Sequence, residues 1–138
     1  MQREKSIITD LDHQRLRSAL KQAARQEDDD QERLDSLRQR VREARVVSPK
    51  DVPSNVVTMN SLVVLRSLDS GAPVTIRLAY PHEARRSPHS VSVSGPLGTA
   101  MLGKHVGQVI RWPRGRTDRR MRIQQVLYQP EAAGDFNL

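Results

Sequence analysis

Four consecutive acidic side chains form the densest group of possible metal ligands in this 138-residue sequence. Glu27 is followed by Asp28, Asp29 and Asp30, and such carboxylates can hold Mg²⁺, which takes oxygen ligands. The same run can cap a helix, because a helix N-terminus favours anions, and it can keep a turn in solvent. We favour capping because no other chelating residue lies nearby in sequence. We therefore expect neither a bound metal nor a cofactor.

Clustered arginines are the second group that could do chemistry, since phosphate contacts need only Lys and Arg. Single-strand binding normally adds aromatic stacking platforms, and the sequence has only one Trp, two Tyr and one Phe. Contact with DNA or RNA and a solvated cationic surface therefore stay open as alternatives. The arginines concerned, which we assign to loops, are Arg85-Arg86, Arg114, Arg116 and Arg119-Arg120-Arg122.

The histidines do not form a recognisable catalytic or metal site. His13, His82, His89 and His105 do not pair at a helical metal-ligand spacing. We expect His82 and His89 on the surface and His13 in a packing role. No phosphate-binding loop, dinucleotide fingerprint or nucleophile elbow is present, and the absence of Cys excludes thiolate chemistry and disulfides. We therefore expect no catalytic residues and a protein that is not an enzyme.

Length and charge limit the number of domains in the chain and the kinds of partner it could bind. The chain is long enough for one domain, or for a small domain with an appendage. It has no apolar run of membrane-spanning length and no apolar leader segment, so we expect a cytoplasmic protein without membrane contact. Residues 1–48 carry 11 basic and 10 acidic side chains, whereas residues 49–138 carry 12 and 6. The second part therefore favours an anionic partner, which could be a nucleic acid or an acidic protein surface.

Residues 1–48 are expected to form a helical hairpin. Thr9, with Asp12 three residues later, is typical of a helix start, and Asp10 is an alternative cap. Two sets of mostly apolar residues at spacings of three and four predict two helices that pack against each other as a short antiparallel coiled coil. Residues 49–55, with two prolines, are assigned to a linker. The two sets are His13, Leu16, Leu20 and Ala23, and then Leu34, Leu37, Val41 and Ala44.

Residues 56–138 are expected to form a small α+β domain. Apolar alternation predicts about five antiparallel strands, near residues 57–65, 74–80, 90–94, 109–112 and 121–128, with a break at Asn60-Ser61. Residues 81–88 are assigned to a loop. A single helical turn is expected at 99–102, closed by Gly103.

Several short segments together resemble a known family. The chain resembles the Gre-type transcript-cleavage factors of bacterial RNA polymerase and, more closely, the Rnk proteins, over about residues 6–138. The Rnk name implies a link to nucleoside diphosphate kinase, through contact or through expression. The segments that carry the resemblance are Val57–Ser61, Tyr80-Pro81, Gly95–Gly103, Val106-Gly107 and the tail Tyr128–Phe136.

This resemblance implies a fold and a binding site. The second part would take the FKBP-like fold of the Gre C-terminal domain, which in Gre factors docks at the rim of the polymerase secondary channel. The docking loop there reads Ser-Pro-apolar-small; Pro96, Leu97 and Gly98 match it, while Gly95 replaces the serine. A fold does not carry activity with it. Isomerase activity is not expected, because an FKBP pocket is lined by aromatics and this chain has only Trp112, Tyr80, Tyr128 and Phe136.

The resemblance also implies a difference in reach. The first predicted helix is about 17 residues, or roughly 25 Å long, whereas Gre hairpins are about twice that length. The hairpin tip at Asp28, Asp29 and Asp30 would therefore stop short of the polymerase active centre. We expect a monomeric, non-enzymatic regulator bound to bacterial core RNA polymerase through Gly95, Pro96, Leu97 and Gly98. The alternative is a nucleic-acid-binding module that uses the arginine-rich loops.

Overall fold

The computed structural model describes residues 6–23, 31–114 and 116–135, and it shows a mixed α+β architecture. Seven strands and four α-helices alternate along these residues. In chain order they are β1 (Ile7–Thr9), α1 (Asp10–Ala23), α2 (Gln31–Glu43), β2 (Arg45–Val47), β3 (Leu62–Ser67), β4 (Pro73–Ala79), α3 (Pro81–Ala84), β5 (Ser90–Ser92), α4 (Pro96–Met101), β6 (Val109–Arg114) and β7 (Thr117–Tyr128).

The predicted start of the first helix is confirmed. The Thr9 hydroxyl accepts a hydrogen bond from the backbone N–H of Asp12 at 3.2 Å, as expected of an N-cap residue directly before α1. The buried side chains of the two helices repeat at spacings of three and four, but Asp12 takes the buried position expected for His13, which is half-buried. The buried set is Asp12, Leu16 and Leu20 on α1, with Leu34, Leu37 and Val41 on α2.

A short two-stranded ribbon flanks these helices, where a purely helical segment was expected. β1 and β2 pair in parallel, with Ile8 opposite Val46. The Ile7 backbone N–H also donates to the Gly103 carbonyl at 3.2 Å, so the ribbon connects to the rest of the molecule. The helical hairpin was expected to extend to residue 48, but α2 ends at Glu43 and Arg45–Val47 form β2, because β-branched side chains favour extended backbone. The antiparallel coiled-coil geometry and the domain division at residues 48, 55 and 56 stay predictions.

A five-stranded sheet forms the larger part of the described chain. Its strand order is β5-β4-β3-β7-β6, and β3 pairs antiparallel with both β4 and β7. β5 lies parallel to β4, so the expectation of a wholly antiparallel sheet is wrong. The break predicted before β3 is present at Asn60, which has φ +68°, a left-handed conformation that Asn tolerates.

One unexpected helix and shifted element boundaries distinguish the observed fold from the expected one. Residues 81–84, assigned to a loop, form the short helix α3. Helix α4 begins at Pro96 rather than at residue 99, because proline is well suited to a first helical position. β6 extends to Arg114 and β7 begins at Thr117, so Arg114, Arg119, Arg120 and Arg122 belong to strands and not to loops.

One hydrophobic core joins the helices to the sheet. Leu16 and Leu37 from the first two helices belong to the same buried cluster as Leu65 and Ile123 from the sheet. Burial of these side chains is the main stabilising contribution, at roughly 1.5–3 kcal/mol each. No helix in the described ranges is long and apolar enough to cross a membrane.

Candidate functional site

The four residues predicted to bind a partner surround the beginning of α4. Gly95 occupies the N-cap position and Pro96 the first helical position. Pro96 is exposed, Gly95 and Leu97 are half-buried and Gly98 is buried. Leu97 also packs against the hydrophobic core. We call these residues, 95–98, the Pro96 corner; it presents an exposed proline on a support that is anchored inside the protein.

Close packing against β5 explains why the corner contains glycine at position 98. A Cβ atom added at Gly98 would lie 2.0 Å from the Ser92 carbonyl oxygen and 2.9 Å from the Val93 Cα. Both contacts are with backbone, which cannot rotate away. In addition, the Thr99 hydroxyl donates to the Val93 carbonyl at 2.8 Å. The start of α4 is therefore held directly against the backbone after β5.

Gly95 occupies the position where the docking loop of the resembled Gre factors has serine. Its φ of −78° and ψ of 168° are ordinary extended values, so the bend needs no glycine there. An N-cap side chain normally accepts a hydrogen bond from the first helical turn, and Gly95 provides none. A serine could adopt the same φ and ψ and would supply a helix cap, so the backbone does not require glycine at position 95.

The other end of α4 is tied to α2 through Arg40. The guanidinium Nη1 donates to the carbonyls of Ala100 at 3.4 Å and Leu102 at 3.5 Å. A cation is favourable beside the carbonyls at the C-terminal end of a helix. Burial lowers the pKa of Arg40 from its ordinary value. The position of the Pro96 corner is thus linked to the second helix of the N-terminal segment.

A buried carboxyl group ties α1 to the sheet. The Asp12 side chain is 3% exposed. Its Oδ2 accepts the Met59 backbone N–H at 3.2 Å, and its Oδ1 accepts the Tyr80 hydroxyl at 3.4 Å. Tyr80 itself is buried in the core. Asp12 therefore joins α1 to the segment before β3 and to the residue after β4, whereas the sequence indicated only a helix-capping role for it.

Burial dominates the electrostatics around Asp12. Desolvation, followed by the nearby charge of Glu131, raises the pKa of Asp12 to about 7, although the Met59 N–H, Thr9 and Arg15 act in the opposite direction. Burial also raises the pKa of Glu131, whose Oε2 accepts a hydrogen bond from Thr58. These two acids therefore retain protons at a higher pH than exposed carboxyls do.

The space beside Asp12 is too small for a substrate. Its volume is about 10 Å³, room for about one water molecule. Among the described residues, no group of three or more His, Asp or Glu side chains is arranged to hold a metal ion. Asp28, Asp29 and Asp30 lie outside the described residues. The crevice is lined by Thr9, Leu11, Asp12, Pro49, Pro130, Glu131 and Asp135.

The remaining candidates are dispersed over the surface. His82 and His89 are exposed, as expected. Arg85 and Arg86 follow α3, far along the chain from the arginines of β7. The buried roles of Asp12 and Arg40 were not predicted from the sequence. Asp12 precedes the buried Leu16 by four residues, which places it on the same helix face, and this spacing was a usable signal.

Comparison with known proteins identifies the class of this protein. The family profile described as "Transcription elongation factor, GreA/GreB, C-term" matches residues 52–128. The transcription elongation factor GreA of Thermosipho africanus is 32% identical over 79 residues, which are 57% of this chain and 49% of that protein. The chain therefore belongs to the GreA/GreB family of transcription elongation factors.

More extensive similarity is found with the regulators of nucleoside diphosphate kinase. The regulator from Escherichia coli is 37% identical over 139 residues, covering 100% of both chains, which confirms the resemblance to the Rnk family. A solved structure, the prokaryotic transcription elongation factor GreA/GreB from Nitrosomonas europaea, superposes with a TM-score of 0.74. It is 34% identical, and the match covers 91% of this chain and 100% of that one. These relatives are named as regulators or elongation factors and not as catalysts.

Proposed function

We propose that this protein is a monomeric, non-enzymatic transcription regulator that binds bacterial RNA polymerase at the rim of the secondary channel. The contact is the Pro96 corner. The observation that carries the proposal is the exposure of Pro96 on a helix that is packed against β5 backbone at Gly98. A preorganised corner loses little conformational freedom on binding, and this favours affinity.

The N-terminal helices determine what the bound protein does. The described part of α1 has 14 residues and α2 has 13, so each is roughly 20 Å long at 1.5 Å per residue. The hairpins of the Gre factors, which this chain resembles, are about twice as long. If the tip lies at Asp28, Asp29 and Asp30, as the sequence predicts, a hairpin of this size ends at the channel entrance. We infer that it does not deliver carboxylates to the active centre and does not stimulate transcript cleavage.

Occupying the channel entrance would still have a regulatory effect. The protein would compete with other factors that bind the same rim and would alter the access of small molecules to the channel. Residues 49–138 carry an excess of six positive charges, and complementary charge on an acidic docking surface speeds encounter.

Binding is tested by co-purification with core RNA polymerase. Pro96→Asp places a charge at the centre of the proposed contact and should abolish co-purification. Pro88→Asp is the matched control, because Pro88 is also exposed but lies in the turn before β5. A long-hairpin GreA should displace the wild-type protein. Equal retention of both variants would reject the Pro96 corner as the contact.

Reach is tested separately by transcript cleavage in stalled elongation complexes. The protein should bind these complexes without shortening the RNA, while GreA in the same assay shortens it. RNA trimming by the purified protein would overturn the argument from helix length and leave the docking proposal intact.

A further inference from the structure

The outward side of the sheet collects arginines from three strands. Register places Arg66 of β3 opposite Arg122 of β7, and Arg111 of β6 opposite Arg120 of β7. Arg120 and Arg122 are two residues apart, so they share one side of the strand. The neighbouring Leu65 and Ile123 side chains are buried, and the intervening Met121 packs against the core, so these three lie on the other side. We call Arg66, Arg111, Arg120 and Arg122 the arginine face.

This arrangement is unfavourable for the isolated protein. Like charges directly opposite each other on adjacent strands are destabilising, and the arginine face contains two such pairs side by side. Asp69, 3.5 Å from Arg120, offsets one of the charges, and Arg66 donates to Gln124 and the Gly71 carbonyl. Among the described residues, Arg111 and Arg122 have no ion pair or side-chain hydrogen bond. A bound polyanion would remove the repulsion.

We propose that the arginine face binds duplex DNA through its phosphates, without reading base sequence. Guanidinium groups match phosphate geometry with two parallel hydrogen bonds. Neighbouring strands of the sheet are about 5 Å apart, and residues two positions apart on one strand are separated by about 7 Å. The four arginines can therefore contact neighbouring phosphates together. This surface is separate from the Pro96 corner, and neither proposal depends on the other.

The surroundings of the arginine face favour a duplex over other anions. Trp112 lies opposite Arg119 in the β6–β7 register, on the other side of the sheet, and Tyr128 lies at the far end of β7, hydrogen-bonded to Asp135. Single-strand binding relies on exposed aromatic platforms, and a protein partner normally buries an apolar centre with aromatic anchors. The arginine face presents cations beside the aliphatic Val109, and phosphate contact requires only cations.

The test is fluorescence anisotropy with a labelled short duplex DNA and the full chain. If four phosphates are neutralised, affinity should fall roughly 150-fold between 50 and 200 mM salt. Arg111→Gln combined with Arg122→Gln should bind at least tenfold more weakly at 50 mM and fall only roughly 12-fold over that range. The matched control, Arg85→Gln with Arg86→Gln, has the same charge change in an exposed loop and should retain wild-type affinity and salt dependence.

Each other outcome counts against the proposal. Equal loss in both double variants would mean that overall charge, and not the arginine face, attracts DNA. Tighter binding of the corresponding single strand would contradict phosphate recognition on a duplex. Displacement by polyglutamate as effective as by DNA would assign the face to an acidic protein. The face variant should melt at the same or a higher temperature, since repulsion is relieved, so misfolding cannot account for its loss of binding.

Discussion

Replacing Asp12 by asparagine should stabilise the protein at alkaline pH. The amide is nearly isosteric with the carboxyl, and its oxygen can still accept the Met59 N–H, which lies 3.2 Å from Asp12 Oδ2. Its NH₂ group can donate to the Tyr80 hydroxyl, which then acts as acceptor. The substitution therefore preserves the link between α1 and the sheet and removes only the cost of a buried charge.

The magnitude follows from the pKa of Asp12, which burial raises from 3.8 to about 7 in the folded protein. Because the folded pKa is the higher one, the folded state favours the protonated acid. This contribution is fully present below pH 3.8 and is lost as the pH rises through 7. A shift of about three pKa units corresponds to about 4 kcal/mol, of which about 2.5 kcal/mol falls between pH 5 and pH 8. The raised pKa of Glu131 acts in the same direction.

Urea unfolding at pH 5 and pH 8 measures this effect. At pH 8 the Asp12→Asn variant should exceed the wild type in unfolding free energy, and its advantage should shrink by about 2.5 kcal/mol at pH 5. Asp51→Asn, at an exposed position, controls for the loss of a negative charge and should show no such change. A pH-independent difference between Asp12→Asn and the wild type would show that Asp12 is ionised throughout, and would refute the reasoning.

Two further predictions concern the support of the Pro96 corner. Gly98→Ala should lower the unfolding free energy by about 2–3 kcal/mol, because its Cβ would meet the Ser92 carbonyl. Gly95→Ala should cost less, because its Cβ would lie 3.3 Å from the same oxygen. Equal losses in the two variants would contradict the packing argument. Arg40→Ala should cost about 1 kcal/mol through its hydrogen bonds to α4, as measured by chemical denaturation, whereas exposed Arg42→Ala on the same helix should be near neutral.

Periodicity in the sequence was sufficient to predict most of the elements. Leu16 and Leu37 lie at helical spacing, and both are buried in the helices that this spacing predicts. Alternation likewise located the strands containing Leu65 and Ile123. These patterns predict the elements correctly because each helix or strand buries one face. Its apolar residues therefore recur with the residue period of that helix or strand. The start of α1 was also predictable, because an N-cap hydroxyl acts within three residues of its own position.

Contacts between distant residues were not predictable in the same way. The side of the sheet on which Arg66 and Arg122 meet depends on strand register, and nothing local to either residue specifies its partner. The Asp12 carboxyl accepts hydrogen bonds from Met59 and Tyr80, which are 47 and 68 residues away along the chain. Local side-chain chemistry therefore determined most of the helices and strands and the family resemblance. Tertiary structure alone decided which acid is buried, which glycine is indispensable and which arginines share a face, because these properties arise from packing between elements far apart in the chain.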